Sequence, residues 1–314
     1  GEAPLLGAET VYQWNWYVDY MHNHQRGKFP LPSDASQFNE YWNLIAGQWR
    51  RIAAGYDLRQ CGISFLVDEN LEEYLEMAMQ LIQILADEVD PQIYTQIVYL
   101  RGLKDERGAE IQRGLGIDDN GYFVDHVNDR IPVLWKMYDW SDLQNDVAKD
   151  GGTQALAHRL ETGEVKILEP LWKQVLSNKG AMAMMWEQFG NSDYSKYLLP
   201  TYLDTDNSPA STELLVGMHV RKPMLGLEGV AISIETGFGA IEQKESFGYG
   251  AEGFIIQEYI ELPEAFGYYY TIGSWAIDGE AAGVIIRGDT SKITGRHCLI
   301  IPHIVSDHGL YIPD

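Results

Sequence analysis

Met218-His-Val-Arg-Lys-Pro-Met-Leu-Gly-Leu-Glu-Gly-Val230 sets Lys222 at the end of a strand pattern and follows it with a loop carrying Gly226 and Gly229. A second strand pattern, Val230-Ala-Ile-Ser-Ile234, comes at once. Such a hairpin can lay backbone N–H groups over a polyphosphate, because glycine permits close approach and unusual dihedrals, while the lysine neutralises the anion. The stretch therefore predicts a phosphate-covering β-hairpin within a β-rich C-terminal half.

Downstream, Gly253-Phe-Ile-Ile-Gln-Glu-Tyr-Ile260, Gly267-Tyr-Tyr-Tyr-Thr-Ile272 and Ala282-Gly-Val-Ile-Ile-Arg287 are apolar or β-branched runs separated by Glu264-Ala-Phe-Gly267 and Asp278-Gly279. They predict one antiparallel sheet with turns between its strands. The central polar pair of Phe254-Ile-Ile-Gln-Glu-Tyr-Ile260 suits an adenine slot, an apolar groove edged by a few hydrogen-bonding groups. Upstream, Ala181-Met-Ala-Met-Met-Trp186 predicts the middle of a helix whose methionines fill core gaps, and Lys179 stands just before it. Two lysines converging on one anion are a common phosphate-binding solution. Arg287, followed by Gly288-Asp289, is either a surface ion pair or a clamp for a phosphoryl group in transfer.

The first half predicts mixed helix and strand. Residues 9–21, with Tyr12, Trp14, Trp16 and Tyr17, and residues 38–54, with Trp42, Ile45, Trp49 and Ile52, predict helices whose aromatics face a core. Between them, Arg26-Gly-Lys-Phe-Pro-Leu-Pro-Ser-Asp34 is a breaker-rich loop. Gly62-Ile-Ser-Phe-Leu-Val67 predicts a strand. The helix after it is capped by Asn70, carries an apolar stripe from Leu71 to Val89, and is stopped by Pro91. Ile93 to Leu100 gives the next strand, so strand, helix, strand forms a small α/β unit. Pro132 marks the run Ile131 to Tyr138 as an edge strand or a strand start, and Asp119-Asn-Gly121 is a turn. Val165-Lys-Ile-Leu168 is a short strand, and the polar interval Asp146–Thr153 is the best internal boundary.

The chain has 314 residues, 45% of them hydrophobic, enough for a sizeable core. No run of about eighteen apolar residues occurs, and the first residues lack a basic secretory start, so a cytoplasmic protein without a membrane partner is expected. With 46 acidic against 23 basic side chains the net charge is −23, which repels nucleic-acid phosphates and excludes nucleic acid as the expected partner. Cys61 and Cys298 have no metal spacing and are expected as buried thiols. His22, His24, His303 and His308 form no metal signature, and no hydrolase elbow or Walker loop is present.

Eleven short motifs occur in one order: Trp14-Asn-Trp16, Ser36-Gln-Phe38, Asp105-Glu-Arg107, Leu168-Glu-Pro-Leu-Trp-Lys173, Ser177-Asn-Lys179, Val220-Arg-Lys-Pro223, Glu228-Gly229, Ile256-Gln-Glu258, Gly273-Ser-Trp275, Gly283-Val-Ile-Ile-Arg287 and Pro302-His-Ile304. In this the chain resembles the synthetase half of the glutathionylspermidine synthase family. The resemblance implies an α+β, ATP-grasp-like fold with antiparallel sheets and a smaller α/β pre-ATP-grasp-like domain. The expected division is residues 1–60 as a helical part of the core, 61–150 as the small α/β domain and 151–314 as the ATP-grasp lobes.

By the same resemblance the function would be an ATP-dependent carboxylate-amine ligase that forms an amide through an acylphosphate, from a peptide-like acid and an amine such as a polyamine. ATP and Mg2+ would be the cofactors. Lys179 and Lys222 would hold phosphates and Glu228 and Gly229 would cover them. Gln257, Glu258, Tyr259 and Ile260, bordered by Thr271 and Ile293, would line the adenine and ribose slot, and Arg287 would be the catalytic phosphoryl clamp. The family's Arg-x-Asp and Glu-x-Asn metal motifs precede the segment that matches Gly1-Glu-Ala-Pro4 and are not in this sequence, so the metal ligands are left unassigned. Open strand edges there favour association into a homo-oligomer. The alternative is a catalytically inactive homologue acting as a binding, structural or nucleotide-sensing subunit.

Overall fold

The computed structural model describes residues 8–24, 33–140, 143, 153–205, 210 and 212–307. The chain forms two compact units. One takes in Gly1–Lys173, Ser274–Val284 and His303–Asp314; the other takes in Gln174–Gly273 and Ile285–Pro302.

The first unit is built on a four-stranded parallel sheet in the order Thr95–Tyr99, Ile63–Val67, Val133–Lys136, Lys166–Leu168. Ile63–Val67 is buried along its whole length, as expected of a parallel strand covered on both faces. Alternation then sorts its residues. Phe65 packs with Trp135 and with Trp49 and Met77 from the helices Tyr41–Tyr56 and Glu72–Glu88, whereas Leu66 and Leu134 join Val98, Phe123, Trp140 and Leu156 in a second core. Helices from the first sixty residues therefore share one core with the strands of the small α/β segment. Val133–Lys136 is an interior strand rather than an edge, and Pro132 sits just ahead of it, where a missing N–H costs no ladder bond. The interval Asp146–Thr153 lies, apart from Thr153, outside the described residues. Because Lys166–Leu168 completes the parallel sheet, the division of the chain falls between Lys173 and Gln174.

Local details depart from the expectations for stated reasons. The helix Glu72–Glu88 has Leu71 at its N-cap with no side-chain cap; the Asn70 N–H donates instead to Asp68 Oδ1 at 2.9 Å, so Asp68 organises the turn. In the helix Ala8–His24, Thr10 and Gln13 are buried, while Tyr12, Trp14 and Trp16 are exposed. Those aromatics do not share a 3.6-residue stripe. They stack on helix neighbours, with Trp14 to Tyr17 at 5.7 Å and Trp16 to Tyr20 at 5.2 Å. The N-terminal Glu2 and Pro4, most of the loop after Arg26, and His308 lie outside the described residues.

His303 is buried in this unit. Its Nε2 accepts the Phe38 N–H at 3.1 Å and its Nδ1 lies 3.0 Å from Gln13 Oε1. Burial holds it below the ordinary histidine value, and a ring nitrogen that accepts an N–H is likewise kept from taking a proton. It ties three chain segments together and is not poised for a metal.

The strands expected as one antiparallel sheet form two, and the second of these includes Ser274–Val284 of the first unit. The first is antiparallel, in the order Gly239–Gln243, Ser233–Thr236, His219–Pro223, Phe254–Glu258, Thr201–Leu203. The second runs Glu264–Ala265, Tyr268–Ile277, Glu280–Asp289, Leu299–Ile301, and its long hairpin turns at Asp278-Gly279, both at positive φ. Apolar runs fix which face is buried but not which strand is the partner, so sequence alone merged the two. The helix Gly180–Phe189 lies on the first sheet through Ala183 and a 3.1 Å bond from Trp186 Nε1 to Tyr202 Oη, leaving Met182, Met184 and Met185 exposed instead of core-filling. Cys61 and Cys298 are free, half-buried thiols. Among the described residues no helix is long and apolar enough to cross a membrane.

Candidate functional site

Lys222 lies on the central strand His219–Pro223 of the five-stranded sheet, opposite Ile255. Val220 faces Gln257 in the same register, and the Lys222 ammonium donates to Gln257 Oε1 at 2.7 Å. Gln257 is itself buried, and its Nε2 donates to Thr201 Oγ1 at 2.9 Å. Its amide is thus oriented with the oxygen toward the lysine. Lys179 reaches the same place from the other side. It is the N-cap of Gly180–Phe189, and its backbone N–H donates to Met224 O at 2.8 Å while its ammonium donates to Gly226 O at 2.7 Å.

Burial and then the neighbouring Lys179 push the Lys222 ammonium down to about 8. Lys179 is also held below the ordinary lysine value by burial, against a favourable contribution from Glu252. Two ammonium groups that repel each other, each bonded to a neutral oxygen, make a receptor for an anion.

The loop after Lys222 supplies both carbonyls that Lys179 bonds. Met224 N donates to Gly253 O at 3.0 Å and Leu225 N to Glu252 Oε1 at 2.7 Å. Glu228 adopts φ 51° and Gly229 φ 79°. A Cβ on Gly229 would stand 2.5 Å from Thr294 O and 3.1 Å from Ile293 Cγ2, so glycine is required both for the conformation and for the close approach. Glu228 pairs with Arg296 at 3.6 Å, and Thr271 Oγ1 lies 3.4 Å from Thr294 Oγ1. The covering loop of the first sheet thereby meets the segment that borders the second, and Glu228, Gly229, Ile293 and Thr271 fall into one neighbourhood.

Glu258 follows Gln257 at the end of its strand, exposed and opposite His219, and its N–H donates to Pro200 O at 2.9 Å. Tyr259 and the exposed Ile260 continue the same edge, with Lys292 Nζ 5.9 Å from the Tyr259 ring centre. Arg287 stands on Glu280–Asp289 opposite Ile300, two residues before Asp289 and therefore on the same strand face. Burial disfavours the charge of Asp289, but the N–H groups of Gly295 and Ser291 outweigh it and hold the carboxyl below its usual range. Ser291 Oγ also bonds Glu242, so the 289–295 turn is fixed by two carboxylates. Glu252 and Glu242 belong to no motif of the sequence, and Asp289 stands there only as the residue after Arg287-Gly288. The only signal for Glu252 was its place among the glycines of Gly248-Tyr-Gly-Ala-Glu-Gly253.

Among the described residues no three His, Cys, Asp or Glu side chains gather as a metal site.

Residues 4–306 match the family model described as glutathionylspermidine synthase preATP-grasp. The chain belongs to this family. Every residue placed above, from Lys179 to Arg296, lies inside the matched stretch. Relatives from the glutathionylspermidine synthase group and beyond align with it. A Haemophilus influenzae protein named as an acid–amine ligase is 32% identical over 218 residues, 65% of this chain and 51% of its own length. Trypanothione synthetase of Crithidia fasciculata is 29% identical over 192 residues, 57% of this chain and 28% of its own. The bifunctional glutathionylspermidine synthetase/amidase of Escherichia coli K12 is 24% identical over 283 residues, 84% of this chain and 40% of its own. The chain thus spans about half or less of these relatives' length.

Proposed function

We propose that this chain carries the nucleotide clamp of an ATP-grasp, ATP-dependent carboxylate-amine ligase. The observation that carries the reading is the lysine pair: Lys179 and Lys222 are neighbours beside a glycine loop and donate to neutral oxygens, Gly226 O and Gln257 Oε1. Lys179 and Lys222 hold the phosphates, and Glu228 and Gly229 cover them. Gln257, Glu258, Tyr259 and Ile260, with Thr271 and Ile293, form the adenine and ribose slot. Arg287 steadies the phosphoryl group in transit. In the reaction, a carboxylate oxygen of the acid bonds to the γ-phosphorus as ADP leaves. An amine nitrogen then attacks the acyl carbon, phosphate departs, and the amine gives up a proton. Fixed cations spread the moving charge, and a closed loop keeps water from the acylphosphate.

The substrate classes follow the relatives' names: a peptide-like acid, glutathione in those proteins, and an amine, a polyamine such as spermidine. Magnesium, if bound with the nucleotide, would neutralise phosphate charge beside the lysine pair. The described residues do not gather a ligand set for it, and no step above passes through the metal. The test is ADP release measured with ATP, magnesium, glutathione and spermidine, each omitted in turn. Release that needs all components and is lost in Lys222→Ala is the expected outcome. Release unchanged by Lys222→Ala overturns the site assignment, and nucleotide binding without any release favours the inactive, nucleotide-sensing alternative.

A further inference from the structure

The loop 244–253 runs beside the phosphate-covering loop and contributes one carboxylate to it, Glu252. Three bonds tie the region together. Met224 N donates to Gly253 O at 3.0 Å, Leu225 N donates to Glu252 Oε1 at 2.7 Å, and Lys179 Nζ donates to Gly226 O at 2.7 Å. Glu252 therefore holds the backbone just ahead of the carbonyl that receives the Lys179 ammonium. We infer that Glu252 is a positioning residue of the clamp: it anchors the 224–229 loop through the Leu225 N–H, one residue before the carbonyl that receives the Lys179 ammonium, and so fixes a carboxylate in the neighbourhood of that ammonium.

The physical need for such a group is plain. Two ammonium groups brought together and withdrawn from water each favour the loss of the other's proton. The neutral oxygens they bond to, Gly226 O and Gln257 Oε1, bring no full charge to balance this. The charged groups that bear on Lys179 come from two elements: Lys222 from the strand His219–Pro223, whose field opposes a second positive charge, and Glu252 from the neighbouring loop, whose field favours it. Glu228 lies farther along the covering loop and is paired with Arg296. Glu252 is exposed, whereas Lys179 is more buried. The bond of Glu252 to a main-chain N–H fixes where its charge sits. A carboxylate directly on the ammonium would compete with an incoming phosphate; one set behind the loop supports the charge without occupying the receptor.

The inference rests on the clamp reading for its purpose, but its test does not need the ligase to work. In the ligand-free full chain, lysine acetylation by limiting acetic anhydride across a pH series, read by mass spectrometry at each lysine, gives the midpoint for Lys179 and Lys222 separately. In Glu252→Gln, which keeps an oxygen acceptor for the Leu225 N–H and removes the charge, the Lys179 midpoint should fall by about half a pH unit, the scale of one partly screened charge. The Lys222 midpoint should not fall with it. In Glu252→Ala the amides of 224–229 should also exchange with deuterium about tenfold faster, and in Glu252→Gln they should not. A Lys179 midpoint unchanged in Glu252→Gln, or both lysines moving down together, overturns the inference. If the labelling behaves as expected but the parent chain binds no ATP, the ligase reading fails and the role of Glu252 in charging Lys179 stands.

Discussion

At Lys222 the cost of the clamp can be given a size. The shift from the ordinary lysine value of 10.5 to about 8 corresponds to roughly 3 kcal/mol against holding that charge in the empty receptor. The sign has two consequences. Between about 8 and 10.5 the unfolded chain carries a proton that the folded clamp has given up, so this group's penalty on folding is complete at the lower end and fades as pH rises. An anion bound beside Lys222 reverses the effect, because a negative partner favours the ammonium. ATP binding near about pH 8.5 should therefore take up a fraction of a proton, and affinity should fall by up to about tenfold per pH unit above pH 8 until the bound-state value is reached. Calorimetry in two buffers of different ionisation enthalpy measures the uptake; it should be largely lost in Lys222→Met. Binding with no proton uptake in the parent chain would mean that no anion comes to rest beside this lysine. The place of Lys222 at a strand end ahead of a glycine loop was legible, because a lysine ahead of two glycines between strand patterns is a readable arrangement. Glu252 could not, since a glutamate in a polar loop has no signature and acquires its role from the Leu225 N–H that folding brings to it.

Among the elements, the strands of the first unit show what periodicity can and cannot specify. Ile63–Val67 and Thr95–Tyr99 were legible as strands, and Glu72–Glu88 as the helix between them, because apolar spacing distinguishes a continuous buried run from a 3.6-residue stripe. The place of Val133–Lys136 between Ile63–Val67 and Lys166–Leu168 was not legible, since partner choice is settled by long-range packing. The same limit merged Phe254–Glu258 with the hairpin Tyr268–Asp289, although they belong to different sheets. The exposed tryptophans of Ala8–His24 show the converse limit: aromatic content without a common helical face does not specify a core face. Phe65 is the side chain on which the sheet-to-helix packing depends most directly. It is fully buried, with ring centres 5.3 Å from Trp135 and 6.0 Å from Trp49. Phe65→Ala leaves a void between strand and helix that neither tryptophan can fill by a small shift, and should cost about 3–5 kcal/mol. Urea unfolding followed by tryptophan fluorescence checks this; a loss below about 1 kcal/mol would show that the cores relax around the site.

For the molecule as a whole, the two compact units have separate means of support. The first has an apolar core on each face of its parallel sheet, and the second holds Lys179, at the start of Gly180–Phe189, bonded to the loop that follows Lys222. A ligand that binds only the folded form stabilises what it contacts by an amount set by its concentration over its dissociation constant, about 2.7 kcal/mol at a hundredfold excess. That gain reaches another part of the chain only if the two unfold together. Under the clamp reading, ATP touches Lys179, Lys222 and the Gln257 strand, all in the second unit. Hydrogen exchange should then slow in 219–229 and 254–258 when ATP is added, while the amides of Ile63–Val67 and Val133–Lys136 keep their rates. Equal slowing in both units would mean that the chain opens as one cooperative body. Slowing confined to the first unit would place the nucleotide away from the lysine pair, because protection without contact in the second unit cannot come from an anion held by Lys179 and Lys222.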